Sequence, residues 1–401
     1  EAKVKIPAWL NDPIYYHNRG DSEWRGESNL MGDFSGLDDL FTEHPRVLEG
    51  MIDIFGGWID EFGIDGFRID VIWHMIKDDQ FRDEPESSHY RPGESSSYDQ
   101  LEHIYTTDRP EIHQLISEMR EVFEEYEERV MIGEIYLPIE RLVTYYGDEG
   151  TGIHLPYNFQ LILLPWDARR IDSAVHAYEA MIPTYGWPNW VLGNHDQSRI
   201  ATRIGAAQAR VAAMLLMTLR GTPTIYYGEE ILMHDVSIPP DQIRDPVEKN
   251  MPGLGLGRDP ERTPMQWDES EHAGFSEAEP WLPLPDDAGE INVSSARKRE
   301  GSMLQLYRRL IDLRKKEPAL QTGQYSPLVA PGNLLAYVRK QGKRRFLIVL
   351  NLGSGEQIYD LNAPHLHGTV ILSTHLDREE AMEGTISLRA DEGVIIELKE
   401  W

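Results

Sequence analysis

Three short apolar runs in this chain each end in a carboxylate residue. The runs are GIDGFRID, ending at Asp70, RVMIGE, ending at Glu134, and NWVLGNHD, ending at Asp196. Apolar runs of this length next to glycine predict buried β-strands, and in an α/β barrel the side chains at strand ends converge on one face. The acids are 64 and 62 residues apart, room for about two strand–helix units of roughly 30 residues each. We therefore expect all three acids in one pocket.

Paired carboxylates of this kind suit glycosidic bond cleavage. One carboxylate attacks or stabilises the sugar cation, and a second, protonated carboxyl group donates its proton to the leaving oxygen. Arg68 lies two residues before Asp70, so on a strand it shares the face of Asp70 and should lower the pKa of that carboxyl. Glu134 follows the apolar run VMIG, without a basic residue at the equivalent position, so its pKa should rise. The alternative is that each acid caps the helix after its strand.

The motifs GFRIDVIWH, GEIY and GNHD resemble, in order and spacing, three sequence signatures of the alpha-amylase family, family thirteen of the glycoside hydrolases. The resemblance implies that Asp70 is the nucleophile and that Glu134 acts as general acid and then as base. It implies that Asp196 is a third acid that binds sugar hydroxyls in the distorted transition state. Arg68 would hold Asp70 ionised, and His195 would bond a hydroxyl in the first donor subsite.

Weaker signals predict further substrate contacts. Arg199 lies where α-glucosidases of the family place a substrate-site arginine, and the alternative is a surface arginine at a helix start. Val71, directly after the predicted nucleophile, resembles the residue found in relatives that prefer α-1,6 bonds. Five ring-bearing side chains are also predicted to line the substrate subsites: Trp73, His74, Tyr157, Phe159 and Trp267. For Trp73, a place in the hydrophobic core is an equally good interpretation.

No cofactor is expected to be required, but the resemblance implies a structural calcium site. Asp38 falls where many amylases place a calcium ligand, and the backbone carbonyl of His74 falls at another. Calcium takes six to eight oxygen ligands, and one usual ligand would come from a segment that this sequence lacks. The alternative is that Asp38 is an acid in a turn. The chain has no cysteine, which excludes thiolate metal sites and disulfides.

The sequence predicts an α/β fold with three segments. Residues 1–45 are predicted to be a remnant of a loop-rich inserted domain, and residues 46–320 a (β/α)8-type TIM barrel that carries the catalytic residues. Residues 321–401 are predicted to form an all-β C-terminal sandwich. The last segment is predicted from short alternating strands such as LLAYVRK and RRFLIVLNL. Within the barrel, helical spacing of apolar residues predicts helices over 45–61, 110–127 and 302–316, the runs LPYNFQLIL and GTPTIYYGEE predict strands, and a polar stretch over 78–109 predicts a long loop. Strands equivalent to the fourth through eighth of the barrel are recognisable, whereas the first three are not. The barrel is thus predicted to be truncated.

The truncation predicts open sheet edges, which could pair two copies into a homo-oligomer. The sequence opens with EAKVKIPAWLNDP, without a starting Met or an apolar leader, and we expect the interior of a longer protein. AWLNDPIYYHNRGDS resembles amylases, whereas PWDARR and GLGRDPERTPMQWD resemble α-glucosidases and oligo-1,6-glucosidases. Two explanations stay open for this change from amylase-like to glucosidase-like sequence: a natural combination of the two subfamilies, or an artefact of sequence assembly or engineering.

The chain is strongly acidic, with a formal net charge of −29. This charge repels nucleic acid and anionic membranes and is compatible with a neutral sugar, so neither nucleic acid nor membrane is expected as a partner. No run of 18 apolar residues is present, so no membrane span is expected. Localisation stays open, with a soluble cytoplasmic protein favoured.

These observations together predict a retaining glycoside hydrolase that cleaves α-glucosidic bonds of short malto- or isomalto-oligosaccharides through a covalent glucosyl intermediate on Asp70. Two alternatives stay open. One is an α-glucosyl transferase of the same family, which passes glucose to acceptors other than water. The other is a catalytically inactive fragment or a binding relative, which the missing strands favour and the intact Asp70, Glu134 and Asp196 oppose.

Overall fold

The computed structural model of the chain describes residues 45–80, 82–91, 100–250, 252–253, 255–361 and 367–399. The chain divides into two compact units: residues 1–157 with 183–186, and residues 158–182 with 187–401. Asp38 and nearly all of the predicted first segment lie outside the described residues.

The first unit contains a parallel three-stranded sheet in the order β1-β2-β3, with helices before and between its strands. Its described helices and strands are α1 Pro45–Phe62, β1 Gly66–Ile69, α2 Ile112–Glu124, β2 Val130–Gly133, α3 Ile139–Leu142 and β3 Leu155–Pro156. The rings of Phe55 on α1 and Phe123 on α2 lie 4.8 and 6.0 Å from that of Phe67 on β1. The two predicted helices therefore cover β1 with their apolar faces, as their periodicity indicates.

A long connection follows β1, and its described residues include no strand beyond the isolated bridge between Glu86 and Leu101. The Glu84 carboxylate accepts hydrogen bonds from the backbone N–H groups of Ile104, Tyr105 and Thr106. One carboxylate with three N–H donors fixes this loop without a sheet. The prediction of a long irregular loop over residues 78–109 is confirmed for its described part.

The second unit begins with alternating helices and strands, in which β4 and β5 form a parallel pair. These are α4 Gln160–Leu163, α5 Ala168–Met181, β4 Asn189–Val191, α6 Ile200–Thr218, β5 Thr222–Thr224, α7 Pro246–Asn250, α8 Val293–Lys298, α9 Met303–Lys316 and α10 Pro318–Gln321. Helix α9 begins as its sequence predicts, because Ser302 caps it: its hydroxyl accepts the Gln305 N–H at 3.3 Å.

Two predicted strands are much shorter than expected. LPYNFQLIL forms a strand only at Leu155–Pro156, because the Asn158 side chain accepts the Gln160 N–H at 3.0 Å and starts a helical turn. GTPTIYYGEE forms a strand only at Thr222–Thr224. There the Glu230 carboxylate accepts the Gly228 N–H at 2.8 Å, and Gly228 has a φ of 84°, so the chain turns.

Helix α6 is long and apolar enough to cross a membrane by length and composition alone. However, 56% of its most apolar window is buried inside the protein. The buried core helix of a soluble protein passes the same test, so α6 is weak evidence for a membrane span. It is the one helix in the described ranges that passes.

The end of the chain forms an eight-stranded sheet in which every neighbouring pair is antiparallel. Its strands are β6 Gln324–Leu328, β7 Leu334–Gln341, β8 Arg344–Asn351, β9 Gln357–Asp360, β10 His367–Ser373, β11 Ala381–Glu383, β12 Thr385–Leu388 and β13 Gly393–Leu398. The strand order is β6-β7-β8-β13-β10-β11-β12-β9. Buried side chains from β7 and from the opposite end, β9, share one core cluster, as expected for a sheet folded into two layers.

Two buried arginines bind backbone carbonyls where α6 ends. Arg314 on α9 donates to the carbonyls of Met217 and Leu219 at 2.9 and 3.0 Å. Arg339 on β7 donates to the carbonyl of Thr218 and, at 3.0 Å, to that of Gly323. Cations at a helix C-terminus complement the helix dipole and satisfy its last carbonyls, so Arg314 joins α9 to α6 and Arg339 joins the C-terminal sheet to α6.

Candidate functional site

In the first unit, two carboxylates extend from the same end of neighbouring strands. Asp70 follows β1 directly and Glu134 follows β2 directly, and the parallel register places Ile69 opposite Gly133. The Glu134 N–H donates to the Ile69 carbonyl at 3.0 Å and extends this ladder. The side chain of Asp70 is 68% exposed, whereas that of Glu134 is only 7% exposed.

Arg68 binds both acids. Its Nη1 donates to Oδ1 of Asp70, and its Nη2 lies 3.0 Å from Oε2 of Glu134. The expected pairing of Arg68 with Asp70 on one strand face is thus confirmed. The strand of Glu134 has no basic residue at the equivalent position, as noted, but the surroundings of Glu134 are less apolar than expected. Arg68 pairs with Ile132 in the register and so reaches the end of the adjacent strand.

Val71 contributes through its backbone. Its N–H donates to Glu134 Oε2 at 3.1 Å. Val71 has φ 39° and ψ 40°, a left-handed conformation that is uncommon for a β-branched residue. Strained backbone conformations of this kind cluster at functional sites. The described geometry therefore joins Arg68, Asp70, Val71 and Glu134 in one constellation.

His74 and Lys77 lie on the segment that leaves this constellation. The Lys77 ammonium donates to the His74 carbonyl and, at 3.3 Å, to the Thr106 carbonyl. Burial, followed by the positive charge of Lys77, lowers the pKa of His74 to about 4, against a hydrogen bond to the Thr106 backbone that favours the charged form. His74 is therefore neutral at pH 7.

The residues at this point do not fit calcium. The His74 carbonyl, predicted as a calcium ligand, already binds the positively charged Lys77 side chain, which would repel a cation. In the part of the chain that the structure describes, no group of three or more His, Asp or Glu side chains is arranged to hold a metal ion. The other predicted ligand, Asp38, lies outside the described residues.

We expect calcium to leave stability unchanged. Because the Lys77 ammonium already binds the His74 carbonyl, calcium should not raise the melting temperature through that carbonyl, and the values in excess EDTA and in millimolar CaCl₂ should agree to within about 1 °C. Differential scanning calorimetry measures this, with MgCl₂ as the matched divalent control. A melting temperature that rises with calcium but not with magnesium would contradict the prediction.

In the second unit, Asp196 sits on a turn closed by a bridge between Asn194 and Gln197. The turn comes after β4, which ends at Val191, so the expectation that the strand continues to Asp196 is wrong. The Asn194 side chain accepts the Asp196 N–H at 3.0 Å, a local bond that favours a turn. His195 Nε2 lies 3.3 Å from Asp196 Oδ2, which brings these two predicted residues together.

Two arginines that sequence reasoning did not assign also bind Asp196. Arg258 Nη1 and Arg262 Nη2 lie 3.1 and 2.9 Å from its Oδ1. Both come from GLGRDPERTPMQWD, a segment that the sequence marks only as resembling α-glucosidases. These arginines lie in a loop more than 60 residues away from Asp196, so no periodic sequence pattern connects them to it. Only the fold could show that they pair with Asp196.

Arg258 is itself held by the buried carboxylate of Asp245. Its Nε lies 2.8 Å from Asp245 Oδ2, and its Nη2 lies 3.1 Å from Oδ1. Burial would raise the pKa of Asp245, but the hydrogen bonds from Arg258 and from the backbone outweigh it and lower the pKa to about 2. Arg262 also donates from Nε to the His195 carbonyl at 2.7 Å. Asp196 is thus fixed by two anchored guanidinium groups.

Arg199 is 1% exposed, so the alternative of a surface arginine is wrong. Its Nη1 donates to the Tyr227 carbonyl at 2.6 Å, and its guanidinium carbon lies 4.9 and 4.5 Å from the ring centres of Tyr226 and Tyr227. The guanidinium group is therefore packed against aromatic faces. A sugar contact by Arg199 stays a prediction.

The ring-bearing residues differ in exposure. Trp73 is buried, with its ring 4.8 Å from His74 and 5.8 Å from Tyr136, which favours the core interpretation. Phe159 is also buried, whereas nearly half of Trp267 is exposed. Substrate contacts by His74, Tyr157, Phe159 and Trp267 stay predictions.

Both units contain parallel strands, an antiparallel sheet ends the chain, and a solved structure shares this fold with a TM-score of 0.82. Together they confirm the predicted class, an α/β barrel protein with an all-β C-terminal domain. Residues 4–323 match the family model for the alpha amylase catalytic domain. The chain belongs to the alpha-amylase family.

Several known proteins are similar to the chain. The chain is 35% identical over 353 residues to an alpha-glucosidase of Culex pipiens, covering 84% of this chain and 57% of that protein. It is 29% identical over 401 residues to an oligo-1,6-glucosidase of Bacillus cereus, covering 90% and 70%. A solved alpha-glucosyl transfer enzyme is 27% identical with a TM-score of 0.82, covering 89% of this chain and 68% of that one. The chain spans 57–61% of the length of the first curated relatives.

Proposed function

We propose that the protein is a retaining glycoside hydrolase acting on α-glucosidic bonds of short gluco-oligosaccharides. The observation that carries this proposal is the pair of carboxylates on neighbouring strands, Asp70 and Glu134, both bonded to Arg68. The similarity to proteins named alpha-glucosidase, maltase and oligo-1,6-glucosidase supports the substrate class. The further proposal is that Asp196 is the third catalytic acid.

The exposure of the two acids supports a division of labour. Asp70 is exposed and is the proposed nucleophile: its oxygen bonds to the anomeric carbon as the glycosidic bond breaks. Glu134 is buried and is the proposed general acid, which gives its proton to the leaving oxygen. Glu134 then removes a proton from water, which attacks the anomeric carbon and frees Asp70, so the sugar keeps its configuration. Asp196, fixed by Arg258 and Arg262, binds sugar hydroxyls in the transition state.

Glu134→Gln should lower activity on maltose far more than on aryl glucosides with good leaving groups. Without the acid, a poor leaving group departs unprotonated, whereas an activated phenolate needs little protonation. We expect a loss of about 10³-fold on maltose and a far smaller loss in the glycosylation step on dinitrophenyl α-glucoside. Steady-state and pre-steady-state kinetics with both substrates measure this, with Glu140→Gln, on the exposed side of the next helix, as the control. Equal losses on both substrates would argue against a general acid.

An α-glucosyl transferase is the second proposal, and the similarity to a solved alpha-glucosyl transfer enzyme favours it. The two functions share the covalent intermediate and differ in what attacks it. Incubation with maltose at high concentration and chromatography of the products separates them: free glucose alone supports hydrolysis, and longer oligosaccharides support transfer. A chain that binds glucosides without any turnover would instead be the inactive fragment or binding relative.

The test of the first proposal is release of p-nitrophenol from p-nitrophenyl α-glucoside by the 401-residue chain.

Three further proposals concern organisation and location. We propose domain boundaries at 1–45, 46–320 and 321–401, a cytoplasmic location, and a homo-oligomer formed through open sheet edges. Sedimentation equilibrium tests the last of these, and a compact monomer with full turnover would contradict it.

A further inference from the structure

Gly193 and Glu229 touch each other in the second unit. Gly193 lies three residues before Asp196, and Glu229 begins the short 3₁₀ helix Glu229–Ile231 after β5. A methyl group placed on Gly193 would lie 2.8 Å from Glu229 Oε1, closer than packed carbon atoms approach an oxygen. The Glu229 carboxyl therefore packs directly against the main chain that leads into the Asp196 turn, and glycine leaves the room for it.

The Glu229 side chain occupies an unusual place for an acid. It is 2% exposed, and neither carboxyl oxygen has a side-chain hydrogen-bond partner among the described residues. Arg199 Nε and Nη2 are likewise buried without a partner. Buried polar groups without partners are rare in native proteins, and each calls for an explanation.

The charged and titratable groups that face Glu229 come from three elements: Arg199 and Arg203 at the start of α6, Glu230 on its own turn, and Tyr307 on α9. Burial raises the pKa of Glu229 to about 8, outweighing the Tyr226 backbone N–H and the two guanidinium groups. Burial therefore favours the uncharged form of this carboxyl, although Arg199 and Arg203 act in the opposite direction.

We propose that Glu229 is a positioning residue for Asp196: its carboxyl is a buried wedge that fixes the Gly193 end of the turn. Arg258 and Arg262 fix the other end, through the Asp196 carboxylate and the His195 carbonyl. The turn that carries Asp196 is thus held from two sides. This inference rests on the proposed function where it is tested by kinetics. Where it is tested by melting temperature, it rests on the contact between Gly193 and Glu229 alone.

The test is a double-mutant cycle between positions 193 and 229. Gly193→Ala and Glu229→Ala should each lower kcat on maltose by about tenfold or more with KM changed less than threefold, because Asp196 acts on the distorted sugar. The double variant should recover most of the loss, because the new methyl group fills the space that the carboxyl leaves. Gly289→Ala, whose methyl group would meet nothing within 4 Å, is the matched control for Gly193→Ala.

Glu229→Gln should keep kcat within about threefold at pH 6, because it preserves the uncharged wedge. Its melting temperature should also fall less from pH 5 to pH 9 than that of the unchanged protein. The folded state keeps a proton on Glu229 that the unfolded state releases above its ordinary pKa, so this stability is present at low pH and is lost as pH rises through about 8.

Strictly additive losses in the cycle, or equal pH dependence of melting for Glu229→Gln and the unchanged protein, would overturn the proposal. Failure of the proposed function is distinguishable. A chain without turnover on any glucoside removes the hydrolase assignment, but the coupling of the two substitutions in melting temperature still supports or overturns the wedge.

Discussion

Asp70→Asn should lower kcat/KM on p-nitrophenyl α-glucoside by about four orders of magnitude or more. An amide has nearly the shape of the carboxylate but cannot form the glycosyl bond, so the first chemical step loses its nucleophile. Even an activated leaving group should not rescue this variant, in contrast to Glu134→Gln. Initial rates over a range of substrate concentrations measure the loss.

The loss should be catalytic and not a loss of fold. Asp70 is 68% exposed, and its amide can still accept a hydrogen bond from Arg68, so the melting temperature should change little. Asp65→Asn is a matched control: Asp65 directly precedes the same strand, and its side chain is 93% exposed and 4.0 Å from Arg129. It should keep full activity. An Asp70→Asn variant that retains more than a tenth of the activity would remove Asp70 from the proposed role.

Arg339→Met should destabilise the second unit by about 3 kcal/mol. The Arg339 side chain is fully buried and donates to the carbonyls of Thr218, Gln321 and Gly323. Burial, followed by the charge of Arg314, lowers the pKa of Arg339 to about 10, so the guanidinium stays charged at neutral pH. Methionine fits the space but leaves these buried carbonyls without their donor.

Urea unfolding followed by tryptophan fluorescence measures the effect as a lower midpoint with an unchanged slope. Lys340→Met is the matched control, because Lys340 is the next residue on β7 but is exposed, and it should change stability by less than about 0.5 kcal/mol. If the midpoint of Arg339→Met matched that of the control, the carbonyl contacts at the end of α6 would not stabilise the fold.

Amphipathic helices and the two acids at strand ends were predictable from the sequence. Helices predicted over residues 45–61 and 302–316 occur at Pro45–Phe62 and Met303–Lys316, because apolar residues repeat at helical spacing and a serine cap marks one start. Asp70 and Glu134 follow their strands directly because a carboxylate ends the run of strand-forming residues in each case. Local pattern was sufficient in these places.

The remainder depends on contacts that no local pattern carries. β4 and β5 have only three residues each, too few to show an alternation of apolar and polar residues in the sequence. Hydrogen bonds between side chains and the backbone form turns soon after each strand. Arg258 and Arg262 reach Asp196 from more than 60 residues away. Arg68 reaches Glu134 only because the register places its strand beside β2. Register and loop placement are tertiary properties, so sequence reasoning assigned Arg68 one partner and left Arg258 and Arg262 unassigned.

Covalent trapping tests the central claim most directly. A 5-fluoro-α-glucosyl fluoride forms the glycosyl–enzyme bond but slows its hydrolysis, so the labelled residue can be identified by peptide mass spectrometry. We predict one label per chain, on the peptide that contains GFRID, with Asp70 as the modified residue and no label on Asp70→Asn. A label on Glu134 or Asp196, or turnover of glucosides without any label, would contradict the account.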